Sequence, residues 1–382
     1  MDSTYLSIKF KMKKLAIIGA SYLQLPLVLK AKEMGLHTIC FAWLKDAVCK
    51  EVADEFYDIS IIEKDRILEK CEQIGIDGIC TIASDVAAPT VAYVAERLGL
   101  KSNSFSCAVL ANNKSLMRSS FLKAGIPCPQ FRVVEAASDL KDLTLNYPLI
   151  VKPTDRSGSL GVSRVDNIDE LKKALNVALD VSFKRQAIIE EYIEGREISV
   201  EFISYQGKHY PLTITDKVTT DAPHFVELEH HQPADLSQNL YKTIYDLNTK
   251  ALSALGITNG ASHAEYKLTP SGELFVIEIG GRMGGDFIGS DLVQLSTGYD
   301  FLKGVINVAL GQFEEPVVKN EPHSGVYFLC KKTERLLPVM EHPEKYPEIV
   351  ECSIQNMDLK NIQSSKDRSG YVIYQSDKKW II

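Results

Sequence analysis

The sequence predicts a mixed α/β and α+β protein that begins with a doubly wound parallel sheet. Over the first hundred residues, short β-rich runs alternate with amphipathic runs, the pattern of a parallel sheet flanked by helices. From about residue 187 onward, apolar residues alternate with a period of two, as in antiparallel strands. The composition, with 45% hydrophobic and 24% charged residues among 382, is typical of a soluble globular chain of two or three domains.

Charge, hydropathy and cysteine spacing exclude several classes of protein. The chain has 43 Lys and Arg against 50 Asp and Glu, a formal net charge of −7, and no arginine-rich run, so we expect no nucleic-acid partner. No apolar stretch reaches the roughly 18 residues of a membrane span, and we see no apolar signal core. The eight cysteines form no C-x-x-C pair, which indicates reduced thiols in a cytoplasmic protein. Residues before Lys13 are polar, and Met12 is an alternative start to Met1.

Residues 1–110 are expected to form the parallel α/β domain. Its predicted strands are Leu15–Ile18, Thr38–Ala42 and Gly78–Ile82, and its predicted helices are Leu25–Met34, Arg66–Gln73 and Pro89–Leu98. Ligands of such sheets lie beyond the carboxyl ends of the strands. The loops Gly19–Ser21 and Ala83–Asp85 are therefore candidate contact points. In the alternative interpretation, Gly19 and Ser21 only make a turn and a helix cap.

Residues 111–311 form a second predicted unit, and residues 312–382 form a small mixed one. The expected helices are one capped by Asn112 or Asn113 and ending at Ala124, one capped by Asn167 with Glu170 and ending near Asp180, and two over Asn239–Leu255 and Asp300–Leu310. The first strands of the second unit are Leu149–Lys152 and Val162–Val165. Farther on, alternating apolar residues and the turn Gln206-Gly207-Lys208 indicate an antiparallel sheet.

Two glutamates provide the strongest functional signal. Two alternating runs, 262–268 and 274–279, are joined by a tight turn. If this hairpin closes around the turn, Glu265 lies opposite Glu278 with Cβ atoms about 5 Å apart. Like charges at that distance are destabilising without a cation, and two carboxylates suit Mg²⁺ or Mn²⁺ that also binds substrate phosphates. In the alternative interpretation, one carboxylate faces solvent or pairs with Lys267.

An arginine follows the second glutamate and is surrounded by four glycines. The run Gly280-Gly281-Arg282-Met283-Gly284-Gly285 allows the backbone to approach a ligand closely. A guanidinium in such a place suits a carboxylate or an acyl phosphate. The run therefore predicts an anionic group of the substrate beside the bound cation.

Two further signals fit a nucleotide. Lys152 ends an apolar strand and precedes the glycine-bearing loop Ser157–Gly161, whose amides suit a phosphate. By itself this loop is as well explained by a flexible hairpin, and neither a P-loop nor a G-x-G-x-x-G pattern is present. The acidic run 188–197 joins two strands and suits a hinge that pairs with an adenine edge, with Glu197 on the ribose hydroxyls. Its alternative is an acidic surface turn.

In this order, the signals resemble the ATP-grasp superfamily over most of the chain. The resemblance implies ATP and Mg²⁺ as cofactors, with Mn²⁺ as an alternative. It also implies a pre-ATP-grasp domain, an ATP-grasp domain with a lid at about 114–187 and a central antiparallel sheet at about 188–311, and a small C-terminal part. By position, the phosphate contacts are Lys114, Lys152, Ser157, Gly158, Ser159 and Gly161; the adenine and ribose contacts are Glu190, Glu191, Ile193 and Glu197; the metal ligands are Glu265 and Glu278; and the catalytic candidates are Lys217 and Arg282.

One position departs from the family pattern E-x-N-x-R. The stretch here is Glu278-Ile279-Gly280-Gly281-Arg282, so Gly280 supplies no third metal ligand, and one or two metals remain open. Within the superfamily, the sequence is most similar to stand-alone carbamoyl-phosphate-synthetase-like proteins and L-amino-acid ligases. The run Pro223–His231 is similar to a loop that those ligases place near their substrates.

The resemblance implies an ATP-dependent carboxylate–amine ligase that forms an amide or peptide bond through an acyl phosphate. Its partners would be small-molecule carboxylates and amines such as amino acids, and a homodimer is left open. His230 or His231 is a candidate to deprotonate the amine, the alternative being polar surface. Two other functions remain: a carboxylase or purine-pathway type of enzyme that activates bicarbonate or formate, and a non-catalytic nucleotide-binding regulatory protein. A dinucleotide oxidoreductase is disfavoured by the missing glycine fingerprint.

Overall fold

The computed structural model describes residues 12–220, 222, 224–319 and 322–382. Within these ranges the strands form three sheets, of four, eight and four strands. No helix in this part of the chain is long and apolar enough to cross a membrane. Met1, the first of the two candidate starts, and Pro223 of the run Pro223–His231 lie outside the described residues, whereas Met12 is described. The domain boundaries near residues 110 and 311 stay predictions.

The first sheet is parallel and contains the N-terminal strands, as the sequence predicts. Its strands are β1 (Lys14–Ile18), β2 (His37–Ala42), β3 (Glu55–Asp58) and β4 (Gly78–Cys80), in the order β3-β2-β1-β4. Its helices are α1 (Leu25–Glu33), α2 (Lys64–Ile74), α3 (Ala88–Leu98) and α4 (Phe105–Ala111). The sequence analysis missed β3 and α4. Strand β3 is a four-residue edge strand with acidic ends and no buried residue, so no apolar run marks it.

The second four-stranded sheet is the predicted lid. Helix α5 (Lys114–Lys123) leads into β5 (Phe131–Val134), β6 (Leu149–Pro153) and β7 (Ser163–Val165), and helix α6 (Ile168–Val181) leads into β8 (Ala187–Glu191). The order is β5-β8-β6-β7, with antiparallel pairing throughout. Strand β8 belongs to this sheet, so the lid extends beyond the expected limit at residue 187. The predicted cap Asn113 accepts a hydrogen bond from the Leu116 amide at 3.0 Å, which fixes the start of α5 directly before Lys114.

The eight-stranded sheet is antiparallel and is the centre of the molecule. Its strands are β9 (Arg196–Tyr205), β10 (Lys208–Thr219), β11 (Glu227–Gln232), β12 (Gly260–Leu268), β13 (Leu274–Gly280), β14 (His323–Leu329), β15 (Ile349–Ile354) and β16 (Gly370–Ser376). They lie in the order β13-β12-β9-β10-β11-β14-β16-β15. The helices of this part are α7 (Gln238–Leu255), α8 (Val293–Thr297), α9 (Phe301–Ala309) and α10 (Leu337–Met340). Because β14 pairs with β11, residues 312–382 continue the central sheet and do not form a sheet of their own.

Helix α9 joins the first sheet to the central one. Phe301 and Val305 of this helix share one apolar core with Leu15 of β1. Gly78 permits the close packing, because a Cβ there would lie 3.0 Å from the carbonyl oxygen of Ala309. The packing sets the carboxyl edge of the parallel sheet beside the glycine-rich segment that follows β13.

The cap of α6 allows a test of how the lid is stabilised. The Asn167 side chain accepts hydrogen bonds from the amides of Asp169 at 3.1 Å and Glu170 at 3.0 Å. Asn167→Ala removes this acceptor and should lower the free energy of unfolding by about 1 kcal/mol. Asn167→Asp keeps an acceptor and is the matched control. Urea denaturation followed by circular dichroism measures both, and an unchanged midpoint in the alanine variant would contradict the role of the cap.

Candidate active site

The register of the predicted hairpin places the two glutamates opposite each other. Glu265 of β12 and Glu278 of β13 are direct cross-strand partners, and the register shifts immediately after Glu265. Each carboxylate is held by its own lysine: Lys217 Nζ lies 2.6 Å from Glu265 Oε1, and Lys114 Nζ lies 2.9 Å from Glu278 Oε1. Lys267 pairs with a different carboxylate. The repulsion between the two glutamates is therefore balanced by cations from α5 and β10.

The charges of this cluster are retained despite burial. Burial raises the pKa of Glu265, but Lys217 and His263 together outweigh burial and hold that pKa well below its usual range. Burial lowers the pKa of Lys217, but Glu265, Glu197 and Glu227 raise it well above the ordinary value. Glu265 and Lys217 are therefore both ionised at neutral pH. A divalent cation bound between the glutamates would compete with the lysine ammonium groups for the same oxygens.

A second charged cluster fixes Lys152. Its Nζ lies 2.6 Å from Glu190 Oε2, and Arg118 Nε lies 2.8 Å from Glu190 Oε1. Arg118 is fully buried and also donates a hydrogen bond to the Ile277 carbonyl at 2.6 Å. Burial raises the pKa of Glu190, but Arg118 and Lys152 outweigh it, so that pKa lies below its ordinary value. The Glu190 carboxylate therefore orients Lys152, and a contact between Glu190 and a nucleotide stays a prediction.

The hinge residues follow this cluster along the chain. The amides of Glu191 and Tyr192 donate to backbone carbonyls at 2.9 and 3.2 Å, so both are committed to protein contacts. Ile193 is buried. Glu197 lies 3.0 Å from Lys217, which places it at the edge of the charged cluster around the glutamate pair. The adenine and ribose contacts stay predictions.

The glycine-bearing loop joins β6 to β7, strand to strand, as expected. Gly158, Ser159 and Gly161 have φ values of 64°, 55° and 75°. A Cβ at Gly161 would lie 2.6 Å from a side-chain atom of α6, so only glycine fits there. Ser157 lines a cavity of about 260 Å³ together with Glu278. The loop therefore borders a cavity that Glu278 also lines.

Arg282 is paired with Asp85 from the loop after β4, with Nη2 and Oδ2 2.7 Å apart. Burial lowers the pKa of Arg282, but Asp85, Glu265 and Glu278 outweigh it and raise that pKa above the ordinary value. The guanidinium therefore lies within electrostatic range of both glutamates. Of the two loops expected to contact a ligand, Ala83–Asp85 reaches this site.

The loop Gly19–Ser21 is instead closed by a side chain. Gln24 Oε1 accepts a hydrogen bond from Ser21 Oγ at 2.8 Å, and Gln24 Nε2 donates to the Ile82 carbonyl at 2.8 Å. A Cβ at Gly19 would lie 2.9 Å from the Gln24 amide group. These contacts favour the alternative interpretation of Gly19 and Ser21 as a turn.

Both histidines on β11 are buried, so the expectation of polar surface is wrong. His231 contacts Tyr374 Oη at 2.9 Å and Glu229 Oε2 at 3.0 Å, which gives it a structural role. Both ring nitrogens of His230 lack a hydrogen-bond partner among the described residues. His230 is the cross-strand partner of Lys217. Its ring therefore lies on the face of the sheet that carries the charged cluster.

An arginine from the last part of the chain contacts the same face. Arg368 lies 2.8 Å from Asp286 and 3.2 Å from Glu227, and its guanidinium lies 3.7 Å from the ring centre of Phe328. Asp286 and Phe287 have φ values of 49° and 67°, which are strained for residues other than glycine. Burial, with the charge of Asp286, raises the pKa of Glu227. Glu227 also lies 3.7 Å from Lys217, so this corner is joined to the charged cluster around the glutamate pair.

The sequence analysis did not identify three residues of this site, Arg118, Asp286 and Arg368. Arg118 lies one helical turn after Lys114, and this spacing on a shared face was the available signal. Asp286 directly follows the glycine run. Arg368 lies far from the other site residues along the chain and has no local signal in the sequence.

Glu265 and Glu278 are the residues best suited to a divalent cation. Opposed carboxylates provide the oxygen ligands that Mg²⁺ prefers. No group of three or more His, Cys, Asp or Glu side chains in the described ranges is arranged to hold a metal. The remaining ligands would therefore have to come from phosphate oxygens and water.

Comparison with known proteins agrees with this geometry. Residues 145–291 match the family described as ATP-grasp domain. This part of the chain is an ATP-grasp domain. The chain is 31% identical over 245 residues to alanine–anticapsin ligase of Bacillus subtilis, covering 58% of this chain and 51% of the relative. It is 28% identical over 198 residues to D-alanine–D-alanine ligase of Gloeobacter violaceus, covering 48% and 63%. The chain thus spans only about half the length of the first of these relatives.

Solved structures show that the ATP-grasp fold extends beyond the matched domain. L-amino acid ligase from Bacillus licheniformis superposes with a TM-score of 0.80 and 26% identity, covering 96% of this chain and 94% of the other. Phosphoribosylglycinamide synthetase from Anaerococcus prevotii superposes with a TM-score of 0.75 and 23% identity, covering 96% and 95%. The second likeness shows the fold alone. The predicted fold class is confirmed.

His230 makes the stability of this face depend on pH. Burial lowers the pKa of His230 well below its usual range, and the charges of Lys217 and Arg368 add to the shift. As the pH falls below about 6.5, the unfolded chain binds a proton that the folded chain does not, which costs up to about 1.4 kcal/mol per pH unit. Stability is therefore present above pH 6.5 and lost on acidification.

We expect His230→Gln to reduce the difference in unfolding free energy between pH 7 and pH 5. Urea denaturation at the two pH values measures this difference. The exposed His342→Gln serves as the control and should behave as the wild type. Equal pH dependence in the wild type and His230→Gln would show that His230 does not carry the effect.

Proposed function

We propose that the protein is an ATP-dependent carboxylate–amine ligase that forms an amide or peptide bond through an acyl phosphate. The supporting observation is the opposed pair Glu265 and Glu278, balanced by Lys114 and Lys217 and within electrostatic range of Arg282. The likeness to an L-amino acid ligase at 26% identity and over 96% of the chain supports the same class of reaction. Amino acids or similar small metabolites are the proposed substrates.

The nucleotide would lie between the lid and the central sheet. We assign the triphosphate to Lys114, Lys152 and the loop Ser157–Gly161, and the adenosine to the hinge 190–197. Mg²⁺ would be held by the glutamate pair and would neutralise charge on the β- and γ-phosphates. With a cation on the carboxylate oxygens, Lys114 and Lys217 would be free to contact phosphate oxygens. The number of metals remains open.

The proposed reaction has two steps. A carboxylate oxygen of the first substrate attacks the γ-phosphorus, the bond to the β-phosphate oxygen breaks, and ADP leaves. An amine of the second substrate then attacks the acyl carbon, and inorganic phosphate leaves as the C–N bond forms. Arg282 and Lys217 contact the phosphoryl group in transfer. The protein contributes positioning and charge stabilisation and needs no covalent nucleophile.

The face around His230 suits the amine substrate. Glu227 and Asp286 lie on this face beside Arg368, and either carboxylate can pair with the ammonium group of a substrate. The lowered pKa of His230 keeps its ring neutral near pH 7, and its ring nitrogens have no protein partner within the described ranges. A neutral imidazole can accept a hydrogen bond from the amine and so orient it for attack.

A substitution at the glutamate pair tests the proposal. Glu278→Gln keeps the shape of the side chain but removes its charge, and Lys152→Ala removes a phosphate contact. Each should lower the rate of ADP release with Mg²⁺, ATP and paired amino acids by about 100-fold or more. Glu273→Gln, an exposed position at the start of the same hairpin strand, is the control and should keep full activity. Near-normal turnover in Glu278→Gln or Lys152→Ala would refute the assignment.

ADP-release assays with different substrates distinguish the proposed ligase from the two other candidate functions. ADP release stimulated by bicarbonate or formate, and not by amino acids, would favour a carboxylase or purine-pathway type of enzyme. ATP binding without ADP release over a broad screen would favour a regulatory protein.

All eight cysteines are free thiols, which supports the proposal of a cytoplasmic enzyme. A homodimer remains open.

A further inference from the structure

Asp85 occupies the space that a side chain at position 280 would need. A Cβ built on Gly280 would lie 2.7 Å from Asp85 Oδ1 and 3.2 Å from Arg282 Cζ. A Cβ on the neighbouring Gly281 would meet nothing closer than Asn103 Nδ2 at 3.6 Å. The departure from the family pattern at Gly280 and the presence of Asp85 are therefore parts of one arrangement.

Asp85 reaches this place from the other side of a domain contact. Its carboxylate lies 2.7 Å from Arg282, and the two side chains are 13% and 15% exposed. The loop that carries Asp85 is anchored by a hydrogen bond of 3.1 Å from the Ala83 amide to the Met283 carbonyl. Ala83 has a φ of 54°, a strained conformation for alanine that costs on the order of 1 kcal/mol. The protein thus accepts strain to hold the loop against the glycine run.

The pair lies beside the proposed phosphate site. Besides Arg282, the charges of Lys114 and His263 act on Asp85, and both Asp85 and Glu278 line the cavity of about 260 Å³. Arg282 Nε is buried without a hydrogen-bond partner among the described residues. Asp85 thus fixes one edge of the guanidinium. The Nε–H has no partner among the described residues and can donate a hydrogen bond to a ligand.

We propose that Asp85 is a positioning residue that holds Arg282 toward the transferred phosphate. A contribution to stability alone explains the pair poorly, because buried ion pairs add little net stability. Orientation explains why the neighbouring position must lack a side chain and why the loop is strained. Phosphoryl transfer then depends on contact between the N-terminal domain and the ATP-grasp domain. The inference rests on the proposed ligase reaction.

The first experiment measures ADP release by Asp85→Asn and Asp85→Ala. A displaced guanidinium should lower kcat by about 10- to 100-fold, while KM for ATP changes less than about threefold, because ATP is also held by other groups. Asp85→Glu should recover part of the rate. Asp65→Asn, an exposed aspartate of the same domain, is the control. Wild-type kcat in Asp85→Ala would overturn the proposal.

The second experiment uses the contact at Gly280 as a double-mutant cycle. Gly280→Ala alone should displace Asp85 and lower kcat by about 10-fold or more. In the Asp85→Ala background the new methyl group meets only Arg282, with Cζ at 3.2 Å, so Gly280→Ala should cause a smaller further loss than in the wild type. Additive effects of the two substitutions would show that Gly280 and Asp85 act independently and would contradict the proposal.

A binding measurement keeps the inference testable apart from turnover. Calorimetry gives the affinity of inorganic phosphate for the protein saturated with Mg²⁺ and ADP. Asp85→Ala should weaken phosphate binding by about 10-fold and leave ADP binding unchanged; equal phosphate affinity would overturn the inference. If the wild type releases no ADP with any substrate, the proposed function fails, and this measurement still decides the role of Asp85.

Discussion

Two carboxylates of like charge on opposite strands of one hairpin set the main constraint on this structure. Directly opposed side chains have Cβ atoms about 5 Å apart, so these two charges must be balanced by cations. The lysines that balance them come from different parts of the chain, Lys114 from the helix that opens the lid and Lys217 from the central sheet. The relative placement of lid and sheet is therefore tied to the charge of the site.

Burial raises the free-energy cost of leaving any of these charges without a partner. A charge removed from water is tolerated only when it is paired, and here almost every charged group of the site has a partner of opposite sign. Lys152 has Glu190, and Glu190 also has Arg118. The same contacts hold the cations at the place that we propose for the phosphates. The side chains therefore lose most of their conformational entropy during folding and not when a ligand binds. A site prepared in this way suits a reaction that depends on positioning and charge.

The sequence was sufficient for features that local chemistry determines. Alternation on either side of a tight turn fixed the pairing of Glu265 with Glu278. Asn113 and Asn167 indicated their helix starts because they cap them. Contacts between residues distant in sequence could not be predicted. No nearby pattern in the sequence indicates that Arg368 reaches the site or that Asp85 packs beside Gly280. The burial of His230 and His231 was missed for a related reason, since it depends on β14 covering the strand on which they lie.

The joining of β14 to β11 has a consequence for how the chain can be divided. Without its last seventy or so residues, the central sheet would end at β11, and the backbone N–H and C=O groups of that strand would form an open edge. Such edges invite pairing with other chains. The same cut would remove Arg368, leaving the acids Glu227 and Asp286 without their guanidinium. An open sheet edge and an unbalanced pair of acids would thus arise together, which makes the C-terminal strands an obligatory part of the folded protein.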